Sequence, residues 1–137
     1  MSQLLHLSLA TPSRKILDVE DVEIINAPAE MGDVGILPNH APFLSKLRDG
    51  VINYRVGGNN FYVGVNGAFL DVAENQVTVI SEAAVLPEDA DLKRAQEAKD
   101  RAKVELEKRL EGTDFKMVEA ELRRALLELK LLEHIRK

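Results

Sequence analysis

The chain has 137 residues, 45% of them apolar and 30% charged, with a formal charge of −5. That balance fits a folded globular protein and argues against a wholesale nucleic-acid binder, which is usually basic. Cys is absent, which excludes a disulfide framework, a thiolate metal site and a cysteine nucleophile. No apolar run reaches the roughly 18 residues that a spanning helix needs. No secretory signal is expected from the first residues, and a reducing, cytosol-like compartment fits best.

The first part of the chain alternates. Leu5, Leu7 and Leu9, then Ile52, Tyr54 and Val56, Phe61, Val63 and Val65, Ala68, Leu70 and Val72, and Val77 and Val79 recur with period two. This predicts half-buried strands. Gly57-Gly58-Asn59-Asn60 and Asn66-Gly67 carry residues that tolerate positive φ and are expected at tight hairpins, with Glu74-Asn75 a weaker turn signal. Short strands at this spacing suggest an antiparallel sandwich or barrel. The segment from Gly32 to Leu44 is rich in Gly and Pro yet apolar. Two glycines around Asp33 suggest a hairpin tip that projects an acid, and Pro38 and Pro42 suggest an edge or corner. Both a structural corner and a contact loop remain open.

A composition break falls at Pro87. Residues 1–87 hold five Lys/Arg, ten Asp/Glu, seven of the eight Gly and all five Pro, whereas residues 88–137 hold thirteen charges of each sign. This divides the chain into a β unit, 1–86, and a helical unit, 87–137. Leu92, Ala95, Ala98 or Lys99, Ala102, Leu106 and Leu110 mark one helix face. Pro87 with Glu88, Asp89 and Asp91 signals its start. Gly112-Thr113-Asp114 breaks the pattern, and Thr113 or Asp114 caps a second helix whose stripe is Phe115, Val118, Leu122, Ala125, Leu129 and Leu132. So short a connection makes the helices an antiparallel hairpin. Leu126, Leu127, Leu131 and Ile135 widen the second stripe beyond what an Ala-rich partner covers. The sandwich or another protein must cover the rest.

Catalytic signals are missing. His6, His40 and His134 lie in unrelated segments without metal-ligand spacing, and no phosphate-binding loop or nucleophile elbow occurs. The acids of the helices alternate with Lys and Arg, as solvated faces do. A generic two-module adaptor is one reading of such a chain. A small enzyme on a sandwich is another, and would need a cleft with paired acids.

Gly35-Ile36-Leu37-Pro38-Asn39-His40-Ala41-Pro42, Gly64 to Val72, Val77-Thr78-Val79 and Asp91-Leu92-Lys93-Arg94-Ala95, in this order, resemble the epsilon subunit of bacterial F-type ATP synthase. The resemblance implies a sandwich of about ten strands followed by an antiparallel two-helix hairpin. It implies a non-catalytic rotor subunit at the cytoplasmic face of the plasma membrane, peripheral rather than inserted. Its partners would be the gamma subunit, the c-subunit ring and, when the hairpin extends, the catalytic alpha/beta head. Asp33 and His40 fall where the family's sandwich approaches the ring. Arg123, Arg124 and Lys130 are candidates to meet acidic segments of the head. Leu126, Leu127, Leu131 and Ile135 would be an apolar face with two alternative covers. No cofactor is required, but ATP is a possible regulatory ligand on the folded hairpin, through Asp91, Arg94 and Arg124. Ala90, Val85 and Glu128 depart from the family's pattern there. An acid in place of a phosphate-facing Arg opposes binding, so millimolar affinity is expected.

Overall fold

The structure is a computed structural model describing residues 3–109 and 111–136. Leu110, assigned above to the first helix stripe, lies outside the described residues. Eight strands come first: β1 (Leu5–Ala10), β2 (Lys15–Val22), β3 (Ile24–Ala29), β4 (Gly32–Ile36), β5 (Phe43–Leu47), β6 (Gly50–Val56), β7 (Asn59–Ala73) and β8 (Gln76–Val85). A 3-10 turn, Pro87–Asp89, leads to α1 (Leu92–Lys108) and α2 (Phe115–Arg136). The strands follow the path β2-β1-β8-β7-β5-β3-β4, with β6 bridging β3 and β7. All pairs are antiparallel except β1 with β8.

The sheet closes over one core. Leu5, Leu7 and Leu9 of β1, Ile25 of β3, Ile52 of β6, and Val63, Val65, Leu70 and Val72 of β7 meet in a single buried cluster. β2 and β6, remote along the hydrogen-bonded path, lie against each other. The period-two residues are therefore largely the inward ones, as pleating requires, except Phe61, which stacks on Tyr54 and stays 44% exposed. The expected ten strands are eight, because the two longest run unbroken through the sandwich. β7 and β8 pair from Gly64↔Val85 to Ala73↔Gln76. The expected hairpin at Asn66-Gly67 is not a reversal. Gly67, at φ +62°, kinks β7 in mid-strand. The reversals lie at Gly57-Gly58 (φ +56° and +79°) and at Glu74-Asn75 (φ +50° and +62°), each a two-residue turn with both φ values positive.

The hairpin is built by caps and small residues. Asp91 accepts from the Arg94 amide (3.0 Å) at the start of α1, and Asp114 accepts from the Met117 amide (3.2 Å) at the start of α2. Each satisfies an amide that has no partner within the helix. α1 ends at Arg109 in the left-handed region. Ala95 and Ala102 of α1 are buried, as are Val118 and Ala125 of α2, so short side chains let the two helices pack closely. Beyond that seam α2 lies against β6, β7 and β8. There Leu127 and Leu131 are buried with Val85, alongside Val51, Tyr62 and Ala90.

Candidate functional site

The hairpin meets the sandwich through α2. Leu127 approaches β7 at Gly64, where a Cβ would lie 3.0 Å from Leu127 Cγ. A bare backbone at that point lets the helix sit on the sheet. Val85 is fully buried beneath α2, so an acid at that position would be desolvated against leucine. Of the widened stripe, Leu127 and Leu131 dock, while Leu126 and Ile135 stay 44% and 42% exposed.

Polar groups flank this contact. Asp49, between β5 and β6, accepts from Arg123 Nε (3.2 Å) and NH2 (2.9 Å) through Oδ2. Its other oxygen accepts from the Gly67 amide (3.1 Å), and its carbonyl accepts from Lys130 Nζ (3.3 Å). Arg123 and Lys130 thus face the sandwich in this arrangement.

A groove of about 290 Å³ opens between the helices, lined by Arg94, Arg101, Arg124, Glu121 and Glu128 among others. The structure brings Arg94 and Arg124 together here, but around a carboxylate. Glu128, only 4% exposed, accepts from Arg124 Nε (3.1 Å), and Arg94 NH2 lies 3.6 Å from the same oxygen. Arg94 also donates to the Asp89 carbonyl (2.8 Å). A buried acid left alone would be costly, and two guanidinium groups offset that cost. Asp91 is already the cap of α1.

Asp33 lines a cavity with Arg48, Asp49, Lys130 and His134, whereas His40 lies in the loop between β4 and β5. The β3–β4 reversal is at Glu30-Met31, with Met31 97% exposed, so Asp33 stands inside β4 rather than at the tip. It pairs with Arg48, which also donates from Nε to the Ala29 carbonyl (3.0 Å). The following loop is tied to the β7–β8 turn, where Asn39 N–H donates to Asn75 Oδ1 (2.6 Å). His40 Nδ1 lies 2.7 Å from the Ala41 carbonyl, and its ring sits edge-on to Phe43. His134 Nδ1 lies 3.0 Å from the Lys130 carbonyl, and its ring is near Tyr62.

Two further features complete the surface. Leu44, Phe69 and Ile80 are exposed on adjacent strands β5, β7 and β8, Phe69 pairing directly with Ile80 and with Lys46. His6 faces two acceptors, Asp18 and Gln76. The Asp18 carboxylate and then the Gln76 oxygen raise the His6 pKa above its ordinary value, and His6 and Lys15 lower that of Asp18. Among the described residues no group of three His, Asp or Glu could hold a metal, and no helix is long and apolar enough to cross a membrane.

Sequence reasoning does not single out Asp49, Gly64 or Met31. A glycine inside a strand is the one available signal, since it often marks a close approach.

Residues 4–87 match the family model described as ATP synthase, Delta/Epsilon chain, beta-sandwich domain, and residues 88–133 match that of the long alpha-helix domain. The ATP synthase epsilon chain of Nitratidesulfovibrio vulgaris (strain DP4) is 40% identical over 131 residues, 96% of this chain and 97% of that one. That of Symbiobacterium thermophilum is 41% identical over 124 residues, covering 90% and 89%. The fold is shared with a chain of the Euglena gracilis mitochondrial ATP synthase, in a structure comprising OSCP, F1 and c-ring (TM-score 0.69, 21% identity, 99% of this chain and 81% of that one). With a sandwich and a two-helix hairpin each matched in order and along nearly the whole length, the chain belongs to the ATP synthase delta/epsilon family.

Proposed function

We propose that the chain is a non-catalytic rotor subunit in the central stalk of a proton-translocating F-type ATP synthase. In this reading it helps couple the membrane ring to the catalytic head, and its hairpin restrains ATP hydrolysis. The observation that carries the second role is the contact of α2 on the sandwich, Leu127 on Gly64 with Leu131 buried near it and one aspartate beside them. Such a contact is strong enough to hold and weak enough to release. Burying two leucines contributes about 3–6 kcal/mol at most, and entropy and the competing cover reduce the net preference.

The surfaces divide among partners accordingly. The exposed strip of Leu44, Phe69 and Ile80 suits an apolar helix of the gamma subunit, since contiguous apolar surface on a sheet favours a protein partner. Met31, Asp33 and His40 meet the polar loops of the c-ring. Released from the sandwich, Arg123 and Lys130 meet acidic segments of the catalytic head, with Arg124 beside them. The protein then works peripherally, at the cytoplasmic face of the bacterial plasma membrane.

ATP is at most a weak regulatory ligand in this account. Arg94 and Arg124 would donate to its phosphates and Asp91 would hold the start of α1. Glu128 already occupies the space between the arginines, so a phosphate must displace a carboxylate. The groove is also near the lower end of ligand-pocket volumes, about 300 Å³. Purification of the tagged chain from solubilised membranes tests the main reading. Gamma and c subunits should accompany it, and their absence would refute the rotor assignment.

A further inference from the structure

We infer that Asp49 is a latch that holds the hairpin down by taking up two cations of α2, and that it does so from a gap in the sheet. The inference rests on the proposed brake only for its consequence in the assembled motor.

β5 and β6 run end to end along β7 in one register, from Phe43↔Val72 to Leu47↔Ala68 and then from Gly50↔Val65 to Val56↔Asn59. Arg48 and Asp49 fall in the break. Opposite them, Asn66 and Gly67 have no ladder partner on this side. On the side of the break a side chain takes the Gly67 amide instead, Asp49 Oδ1 accepting from it (3.1 Å), while the Asn66 amide turns to β8, where Ser81 Oγ accepts from it (3.2 Å). The Gly67 bond fixes the Asp49 carboxylate with its second oxygen turned toward α2. Both Arg123 nitrogens within reach converge on that oxygen.

Helix geometry supplies the rest. Arg123, Leu127 and Lys130 are spaced i, i+4 and i+7, so they share one face. Leu127 presses on Gly64 while the cation on either side of it reaches Asp49, one to the carboxylate and one to the carbonyl. The carboxylate therefore orients the helix over the apolar contact and sets its register on the sheet. Asp49 as a whole, carboxylate for Arg123 and carbonyl for Lys130, engages both cations while α2 is docked. Lifting α2 frees them together, so docking lessens the positive charge that this face of α2 presents.

The test uses the absence of cysteine. A single Val85→Cys, buried beneath α2, reacts with a thiol reagent only when the hairpin lifts or the protein unfolds. Leu70→Cys, in the sandwich core, reports unfolding alone. Asp49→Asn keeps an oxygen for the Gly67 amide but loses the charge, and Arg123→Gln leaves the sandwich untouched. Each should raise the labelling rate of the Val85→Cys thiol about fivefold, the upper range for a partly exposed ion pair, and leave that of the Leu70→Cys thiol unchanged. High salt should raise the Val85→Cys rate in an otherwise unaltered chain and have little effect once Asp49→Asn or Arg123→Gln is added. Unchanged labelling of the Val85→Cys thiol in both variants, or equal acceleration at both thiols, overturns the latch. In the assembled motor Asp49→Asn should deepen inhibition of hydrolysis. If it opens the hairpin in the isolated chain while hydrolysis stays unchanged, the brake reading fails and the latch stands.

Discussion

Gly64→Ala separates the stability of the sandwich from the docking of the hairpin. The residue lies inside β7 at an ordinary strand φ, so alanine brings no backbone strain. Replacing a strand glycine by alanine reduces chain entropy in the unfolded state and should leave the sandwich unchanged or more stable by about 0.5–1 kcal/mol. The new methyl, however, would lie 3.0 Å from Leu127 Cγ and 3.2 Å from Cδ1. Leu127 is hemmed in by Val85 and Leu131, so it has little room to turn. Overpacking of this kind costs about 1–3 kcal/mol, and all of it falls on the docked state. The undocked fraction should rise at least about fivefold, since about 1.4 kcal/mol is tenfold. Urea unfolding of the sandwich and thiol labelling in a Val85→Cys background measure the two effects separately. Leu127→Ala removes the clash, so adding Gly64→Ala to it should cost nothing further. If Gly64→Ala leaves labelling unchanged, or weakens sandwich and docking equally, the close approach of α2 is not what holds the hairpin.

Two other outcomes concern charge. His6 should titrate above 6.5 by NMR and return toward it in Asp18→Asn, because both ring nitrogens donate only in the imidazolium. The sign follows from linkage: a raised folded-state pKa gives stability that is fully present below about pH 6.5 and is lost as pH rises through the folded value. A His6 midpoint unaffected by Asp18→Asn would contradict this. Glu128→Gln should remove the charge that Arg94 and Arg124 now face and tighten ATP binding about tenfold relative to the parent, read by calorimetry. Equal affinities would mean that Glu128 does not compete with phosphate.

Much of the fold is legible in the sequence because its signals are local. Period-two leucines and valines mark inward strand positions, and Asp91 and Asp114 cap helices wherever a helix follows. The loss of Gly and Pro after Pro87 marks the change of secondary structure. What is not legible depends on distant partners. Asn66-Gly67 has the same chemistry in a reversal as in a kinked strand, and continuous pairing with β8 decides between them. Flanking glycines point to a tip at Asp33, but they do not locate a turn to the residue, and the tip belongs to Glu30-Met31. An acid at Glu128 reads as repelling a ligand; its i,i+4 pairing with Arg124 lies within α2, but its pairing with Arg94 emerges only from the helix–helix geometry. The division of the wide stripe, with Leu127 and Leu131 docked and Leu126 and Ile135 exposed, depends on how α2 rolls over Gly64.

Whether a hairpin docked on the sandwich restrains a rotary motor is decided by the rate of ATP hydrolysis. Membranes carrying the complex with residues 88–137 deleted from this chain are compared with the parent, with subunit content matched by immunoblot. Hydrolysis should be faster after the deletion, with the shortened chain still bound in the stalk. Equal hydrolysis rates with full assembly would contradict that restraint.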